Sequence, residues 1–371
     1  MKLYHCSHCD AVVYFENTRC ESCGHALGYW HETASILSLD QQGDHLTSPA
    51  LPGQQFASCA NAAFDACNWL VAHEPGGNPF CRACRHNELV PDVSLPANLT
   101  RWQVIERAKK RLLYSPLRLG LPLATRNEDP LHGLSFRFLA EEAAPVPVMT
   151  GHESGIITLA LKEADDATRE YRRTLLNEPY RTLLGHLRHE IGHHYWDILI
   201  GGGARLDEFR ALFGDERDAY DSALQRYYTE GPAAGWQQGY ISAYATSHPW
   251  EDWAETWAHY LHIVDAVETA AAFGVRLAPQ DDPTGALRTR IDLDAYHATS
   301  MVELMDNWVP LTALINNLNR AVGQHDAYPF VLTPAVIAKL EFVHSVVRAA
   351  GSAPWVVPGP EGPVIVSPAS Q

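Results

Sequence analysis

Residues Gly185 to Leu199 read GHLRHEIGHHYWDIL, and the rest of the chain is best read outward from them. They contain His189-Glu190-Ile191-Gly192-His193, an H-E-x-x-H pattern, in a segment of helical periodicity. On a helix, residues four apart stand one turn above each other, so both imidazoles face one way and can share a metal ion. Glu190 puts a carboxylate beside them, where a water on that metal would need a base. Three fixed positions in five also occur by chance, so the surroundings decide. Pro179 near the expected helix start and Gly201-Gly202-Gly203 beyond its end frame the helix. Leu184, Leu187, Ile191, Tyr195 and Ile198 form an apolar stripe, with His186, His189, Glu190, His193 and Asp197 as a polar stripe beside it. That polar stripe suits a helix lining a cleft.

Catalytic zinc commonly takes three protein ligands and keeps one position for water. A third candidate lies between Ser242 and His259, where Pro249 suits the first turn of another helix. Glu251 then falls near its start and Glu255 one turn on, along the same face. Glu251 is a candidate ligand, and Glu255 a candidate acceptor for the far nitrogen of a ligand histidine. Tyr244 is a candidate phenol for the oxyanion of a tetrahedral intermediate. His259 and His262 rival Glu251 as ligands. A third histidine six residues after His193, the metzincin spacing, is excluded because that position is Leu199.

All eight cysteines fall in the first quarter of the chain. Cys6-x-x-Cys9 and Cys20-x-x-Cys23 have the paired knuckles of a zinc ribbon, in which four thiolates close a structural site. Gly24, Tyr14 and Phe15 fit two short hairpins whose small core needs metal to fold. Cys59, Cys67, Cys81 and Cys84 form a second four-thiolate set if Ala60 to Ala66 makes a turn, with Asn68, Trp69 and Leu70 supplying packing. Zinc is the first reading of this set; thiolates alone do not select the metal, so iron is the second. Disulfides would require an oxidising compartment. With four cysteines per site, His8, His25, His73 and His86 are read as surface histidines.

H-E-x-x-H followed by a helix reading Glu-x-x-x-Glu resembles the gluzincin arm of the zincin metallopeptidases, and the spacing of Tyr244, Glu251 and Glu255 resembles the lethal-factor-type proteases. Together with the cysteine-rich front end, nearly the whole chain resembles the bacterial family of zinc-binding metallopeptidases with an N-terminal zinc ribbon. The resemblance implies zinc held by His189, His193 and Glu251, with Glu190 as base, and it favours Glu251 over His259. It also implies that the strand expected at Gly155–Leu161 is the cleft's edge, offering unpaired backbone to an extended peptide. A covered inner strand is the other reading of that segment.

The chain has 371 residues and 46% apolar content, enough for one sizeable catalytic core plus small modules. Met1 to Cys6 leads directly into cysteines and polar residues, and no stretch approaches the roughly 20 apolar residues of a membrane span. The expectation is a cytoplasmic protein with no membrane partner. A net charge of −16, with nine acidic residues against Lys2, Arg19, Arg82 and Arg85 in residues 1–90, argues against nucleic acid.

Between and beyond these motifs, helices are expected at Thr100–Tyr114, with Thr100 as N-cap and Arg107, Lys109, Lys110 and Arg111 on a solvated face. Others are expected from Ala164 to Leu176, Leu206–Phe213, Glu216–Thr229, Val302–Val322 and Pro334–Ala349; Leu134–Leu139 reads as a strand. The fold class is α+β. Residues 1–97 form a cysteine-rich zinc-ribbon module, 98–350 a zincin-like, mostly helical metallopeptidase domain, and 351–371 a mobile tail. The expected function is zinc-dependent peptide hydrolysis on a peptide or protein substrate, with one catalytic and two structural zinc ions. The alternative is a catalytically silent zincin-fold adaptor that binds a protein partner through its ribbons.

Overall fold

The computed structural model describes residues 2–140, 150–170, 182–352, 355–359 and 362–366. The chain divides into two compact units, Met1–Asp166 with Pro354–Gln371, and Ala167–Ala353.

In the first unit, β1 (Tyr4–His5) and β2 (Val12–Val13) form the hairpin of the first cysteine knuckle. An antiparallel meander follows: β3 (Ala26–Trp30), β4 (Ser35–Gln42), β5 (His45–Thr47), β6 (Phe56–Ser58) and β7 (Leu70–Ala72), paired in sequence order. A bridge between Tyr29 and Trp69 brings its last strand back to its first. Inside lie Trp30, Leu37, Leu39, Phe56 and Leu70. Gly28 is required here, since a Cβ would stand 2.5 Å from the Leu70 side chain. Between Cys59 and Cys67 the chain makes the expected turn, a 3-10 segment at Ala60–Phe64 that ends on Asp65 with φ 52°.

A second sheet has the order β10, β11, β9, β8, from β8 (Asn87–Leu89), β9 (Ser135–Leu139), β10 (Gly151–Glu153) and β11 (Ile156–Ala160). β11 is parallel to β9 on one side and antiparallel to β10 on the other, so it is an inner strand with its backbone paired. This corrects the edge-strand reading of Gly155–Leu161: the short β10 occupies the position at which a peptide would have to add.

Helix α1 runs Pro96–Arg118, starting four residues before the expected cap. Pro96 suits a helix start, and Thr100 instead donates its hydroxyl to the Pro96 carbonyl from within the helix. The solvated-face reading also fails for two of its lysines. Lys109 and Lys110 are buried, each 2.7 Å from a carboxylate oxygen of fully buried Glu106. Lys109 also lies over the rings of Phe136 and Phe138, joining the helix to the β9 face. His86 is buried rather than superficial, donating from Nδ1 to the Leu134 carbonyl at 2.9 Å.

The second unit is mainly helical: α2 (Leu183–Leu199), α3 (Leu206–Phe213), α4 (Tyr220–Glu230), α5 (Pro249–Ala272), α6 (Met301–Ala321) and α7 (Pro334–Gly351). Thr182 caps α2, its hydroxyl accepting from the Gly185 N–H at 2.9 Å. Pro179 and the second half of the charged helix expected before it, from residue 171 on, lie outside the described residues, while residues 166–170 are helical. α5 buries residues on every face and is the central element of the unit, its Trp253, Trp257 and aliphatic residues facing the core and its buried Glu251, Asp252 and Asp265 meeting polar partners. Trp253 packs on Phe213 and Phe342, and Trp257 stacks on Tyr195. Gly192 allows α2 and α5 to cross closely, because a Cβ there would meet the Ala254 Cα at 3.1 Å. No helix among the described residues is long and apolar enough to cross a membrane. Trp355–Gly359 and Gly362–Val366 pair as an antiparallel hairpin.

Candidate active site and metal centres

The crossing of α2 and α5 brings the histidine pair and the glutamate pair together. Pro249 sits in the first turn of α5, with the His248 side chain capping the N–H of Trp250. Glu251 therefore enters from the helix start, while Trp253 Nε1 donates to the Gly192 carbonyl at 2.9 Å and fixes the crossing at the turn between His189 and His193.

Three atoms meet in a buried triangle: His189 Nε2 and His193 Nε2 lie 3.2 Å apart, and Glu251 Oε2 lies 3.0 and 3.5 Å from them. A tetrahedral zinc ion with ligands at about 2.0–2.1 Å holds them about 3.3 Å apart, so the triangle has the size of one face of such a site. His189 Nδ1 lies 2.7 Å from Glu255 Oε1, which directs the Nδ1 proton outward and leaves a lone pair on Nε2 facing the triangle. Glu251 Oε2 is buried and makes no hydrogen bond among the described residues. With His189 neutral, lone pairs of the imidazole and the carboxylate would confront each other in this buried space. Positive charge relieves this. Burial opposes protonation of His189, yet Glu251 and Glu255 outweigh it and hold its pKa well above the ordinary imidazole value. Glu251 is held well below the carboxylate range by His193 and His189, against its burial. The donor set fits zinc.

Glu190 stands next to the triangle on α2, and its Oε1 is 3.1 Å from His186 Nε2. Burial raises its pKa, but His186 overrides this and keeps the carboxyl low and ionised. The Tyr244 ring is 5.9 Å from that of His189, in the short 3-10 turn Tyr244–Thr246. Burial, then the nearby Glu251, push its phenol well above 10, which keeps it a proton donor. Trp250 faces the His193 ring with centroids 4.4 Å apart, making it the tryptophan of its segment closest to the site, while Trp253 and Trp257 belong to the core.

The rivals for the metal are engaged elsewhere. His259 Nδ1 is 2.8 Å from the Tyr328 hydroxyl, and the His262 ring stacks on the same tyrosine.

Two contacts of the site are not marked in the sequence, and a third joins neighbours of the polar stripe. Tyr220, from α4, donates its hydroxyl to Glu251 Oε1 at 2.5 Å, leaving Oε2 as the oxygen in the triangle. Ser242 donates to Glu255 Oε2 at 2.6 Å and accepts from the Ala245 N–H, so it braces the carboxylate that orients His189 and also the turn that carries Tyr244. His186 holds Glu190. Tyr220 and Ser242 lie 31 and 13 residues from their partners, and no local spacing reveals them.

In the first unit both cysteine sets converge as expected. Cys6 and Cys23 sulfurs are 3.7 Å apart, as are those of Cys9 and Cys20; Cys67 and Cys81 are 3.6 Å apart. A disulfide needs about 2.05 Å, whereas thiolates around zinc at about 2.3 Å stand about 3.8 Å apart. All four sulfurs in each set lie within 4.8 Å of one another. The second set is wholly buried, and its N–H···S contacts run from Trp69 to Cys67 and from Cys81 to Cys59 at 3.4 Å. Burial and the surrounding thiols push Cys81 well above its ordinary pKa, the expected response of crowded sulfurs that cannot all ionise without a cation. In the first set, of which only Cys9 is exposed, the Cys23 N–H lowers Cys20 to about 7.

Residues 3–95 match the family described as a zinc-ribbon domain, and residues 98–346 match the family described as "Putative zinc-binding metallo-peptidase". Among curated proteins, uncharacterized proteins of Mycobacterium tuberculosis and Mycobacterium bovis are each 42% identical over 348 residues, covering 94% of this chain and 95% of theirs. No solved structure matches. The second match spans more than half of the sequence, and with it the chain belongs to the family of zinc-binding metallopeptidases that it describes, carrying a zinc ribbon in front.

Proposed function

We propose that this protein is a gluzincin-type zinc peptidase with a zincin-like catalytic domain, in which His189, His193 and Glu251 hold the catalytic zinc and Glu190 is the general base. The observation that carries the reading is the buried triangle of two imidazole nitrogens and one carboxylate oxygen, 3.0–3.5 Å on a side, with the far nitrogen of His189 secured by Glu255. Zinc bound there would supply a Lewis acid, lowering the pKa of water and polarising a scissile carbonyl. Glu190, ionised and steadied by His186, accepts the proton of the attacking water and returns it to the leaving amine. Tyr244, kept protonated by burial, donates to the developing oxyanion. Tyr220 and Ser242 hold Glu251 and Glu255 in place. The substrate class is peptide or protein.

The cysteine sets serve the fold and not hydrolysis, because four thiolates close a zinc site without leaving a position for water. The test is Glu190→Gln, which keeps the shape of the side chain and removes the proton acceptor. The variant should keep wild-type zinc content while cleavage of a peptide library by the purified protein falls by about a hundredfold or more. Equal cleavage by both proteins would exclude Glu190 as the base, and no cleavage by the zinc-loaded wild type would favour the adaptor reading.

A further inference from the structure

We propose that Asp44, His45 and His73 form a further divalent-cation site, distinct from the cysteine sets and the peptidase centre, which takes an exchangeable metal such as Zn2+, Ni2+ or Cu2+. His45 Nδ1 lies 3.2 Å from Asp44 Oδ1, and His73 Nε2 lies 3.8 Å from Asp44 Oδ2. The two rings are tilted by 35° with centroids 5.4 Å apart, and one ligand atom from each of the three residues lies within 4.8 Å of the others. Two imidazoles and a carboxylate are donors that suit the later first-row divalent metals. Ligands of a tetrahedral ion stand about 3.3 Å apart, so small side-chain rotations close the site.

The donors are carried by sheet elements. Gly43, with φ 60°, makes the turn between β4 and β5, and Gln41 Nε2 donates to the carbonyls of Gly43 and His45 at 3.0 and 3.2 Å. His73 follows directly after β7, its N–H bonded to the Gln55 carbonyl at 2.9 Å. The distant sequence positions 44–45 and 73 are therefore held together by the meander itself. The side chains of His45 and His73 are 22% and 28% exposed and that of Asp44 is 86% exposed. The imidazoles are backed by protein while the carboxylate closes from outside, so a bound ion would keep positions open to water. Such a site exchanges metal readily, in contrast to a closed set of four thiolates. Without metal, the same three residues are a solvent-screened pair of histidine–carboxylate contacts that contributes little.

Titration of the full-length protein, with its tightly bound zinc in place, by Ni2+ in a calorimeter separates these two roles. The wild type should take up one equivalent that is lost in His45→Ala/His73→Ala and weakened roughly tenfold or more in Asp44→Asn. Hydrolytic activity and tightly bound zinc should be unchanged in all three proteins. Absence of that equivalent from the wild type, or its undiminished presence in the double variant, overturns the site.

Discussion

The buried cysteine set and the histidine–glutamate triangle are both fitted to zinc, and they treat it in opposite ways. Around Cys59, Cys67, Cys81 and Cys84 the protein supplies four ligands, buries them all and adds a cation: Lys110 Nζ lies between Glu106 and the Ala66 carbonyl, and Cys84 Sγ is 3.7 Å from the same Glu106. At the triangle it offers three candidate ligands, and the neighbouring groups are the Glu190 carboxylate and the Tyr244 phenol. The difference teaches that ligand number and the chemistry of the surroundings separate a structural zinc site from one suited to hydrolysis.

The largest expected effect lies on the structural side. Cys81→Ser should cost most of the metal-binding free energy that a structural zinc contributes to folding, on the order of 10 kcal/mol. Limited proteolysis should then degrade the first unit; a protease-resistant variant would show that this set is not what holds the unit together. Next comes Lys110→Met, which leaves buried Glu106 paired with Lys109 alone. A loss of about 3 kcal/mol in denaturant unfolding is expected, and a change below about 1 kcal/mol would mean that the lysine is dispensable beside the thiolates.

On the chemical side the effects are smaller in free energy and larger in consequence. Glu190→Gln should reduce turnover by about a hundredfold, equivalent to about 2.7 kcal/mol, with stability and metal intact. If stability fell instead, the carboxylate would belong with the structural residues. Smallest are the bracing contacts. Tyr220→Phe and Ser242→Ala should each weaken zinc affinity by about tenfold, read by competition with a chromogenic chelator, without altering the cysteine-bound metal. Unchanged affinity in both would leave Glu251 and Glu255 positioned by their helix alone.

Chemistry that is local in the chain is legible in the sequence. The H-E-x-x-H spacing, the Glu251–Glu255 turn, the C-x-x-C knuckles and the apolar stripes of the helices each lie within a few residues. Chemistry whose partner is remote is not. Lys109 and Lys110 look like a solvated basic face because Glu106, one turn earlier, reveals itself as buried only once α1 lies on the β9 face and the second cysteine set. His86 resembles any loop histidine until Leu134, 48 residues on, supplies its acceptor. Gly155–Leu161 has the composition of a strand, but whether a strand is inner or edge depends on the order of its neighbours, here a parallel β9 and a short β10. Tyr220 and Ser242 escape notice for the same reason.

Every catalytic role proposed for this chain depends on one zinc ion at the triangle. Metal content of His193→Ala and Glu251→Ala, measured beside the wild type after identical purification, tests this most directly. Each variant should hold one zinc equivalent fewer than the wild type and keep the cysteine-bound metal; full wild-type metal content in both variants would contradict the assignment.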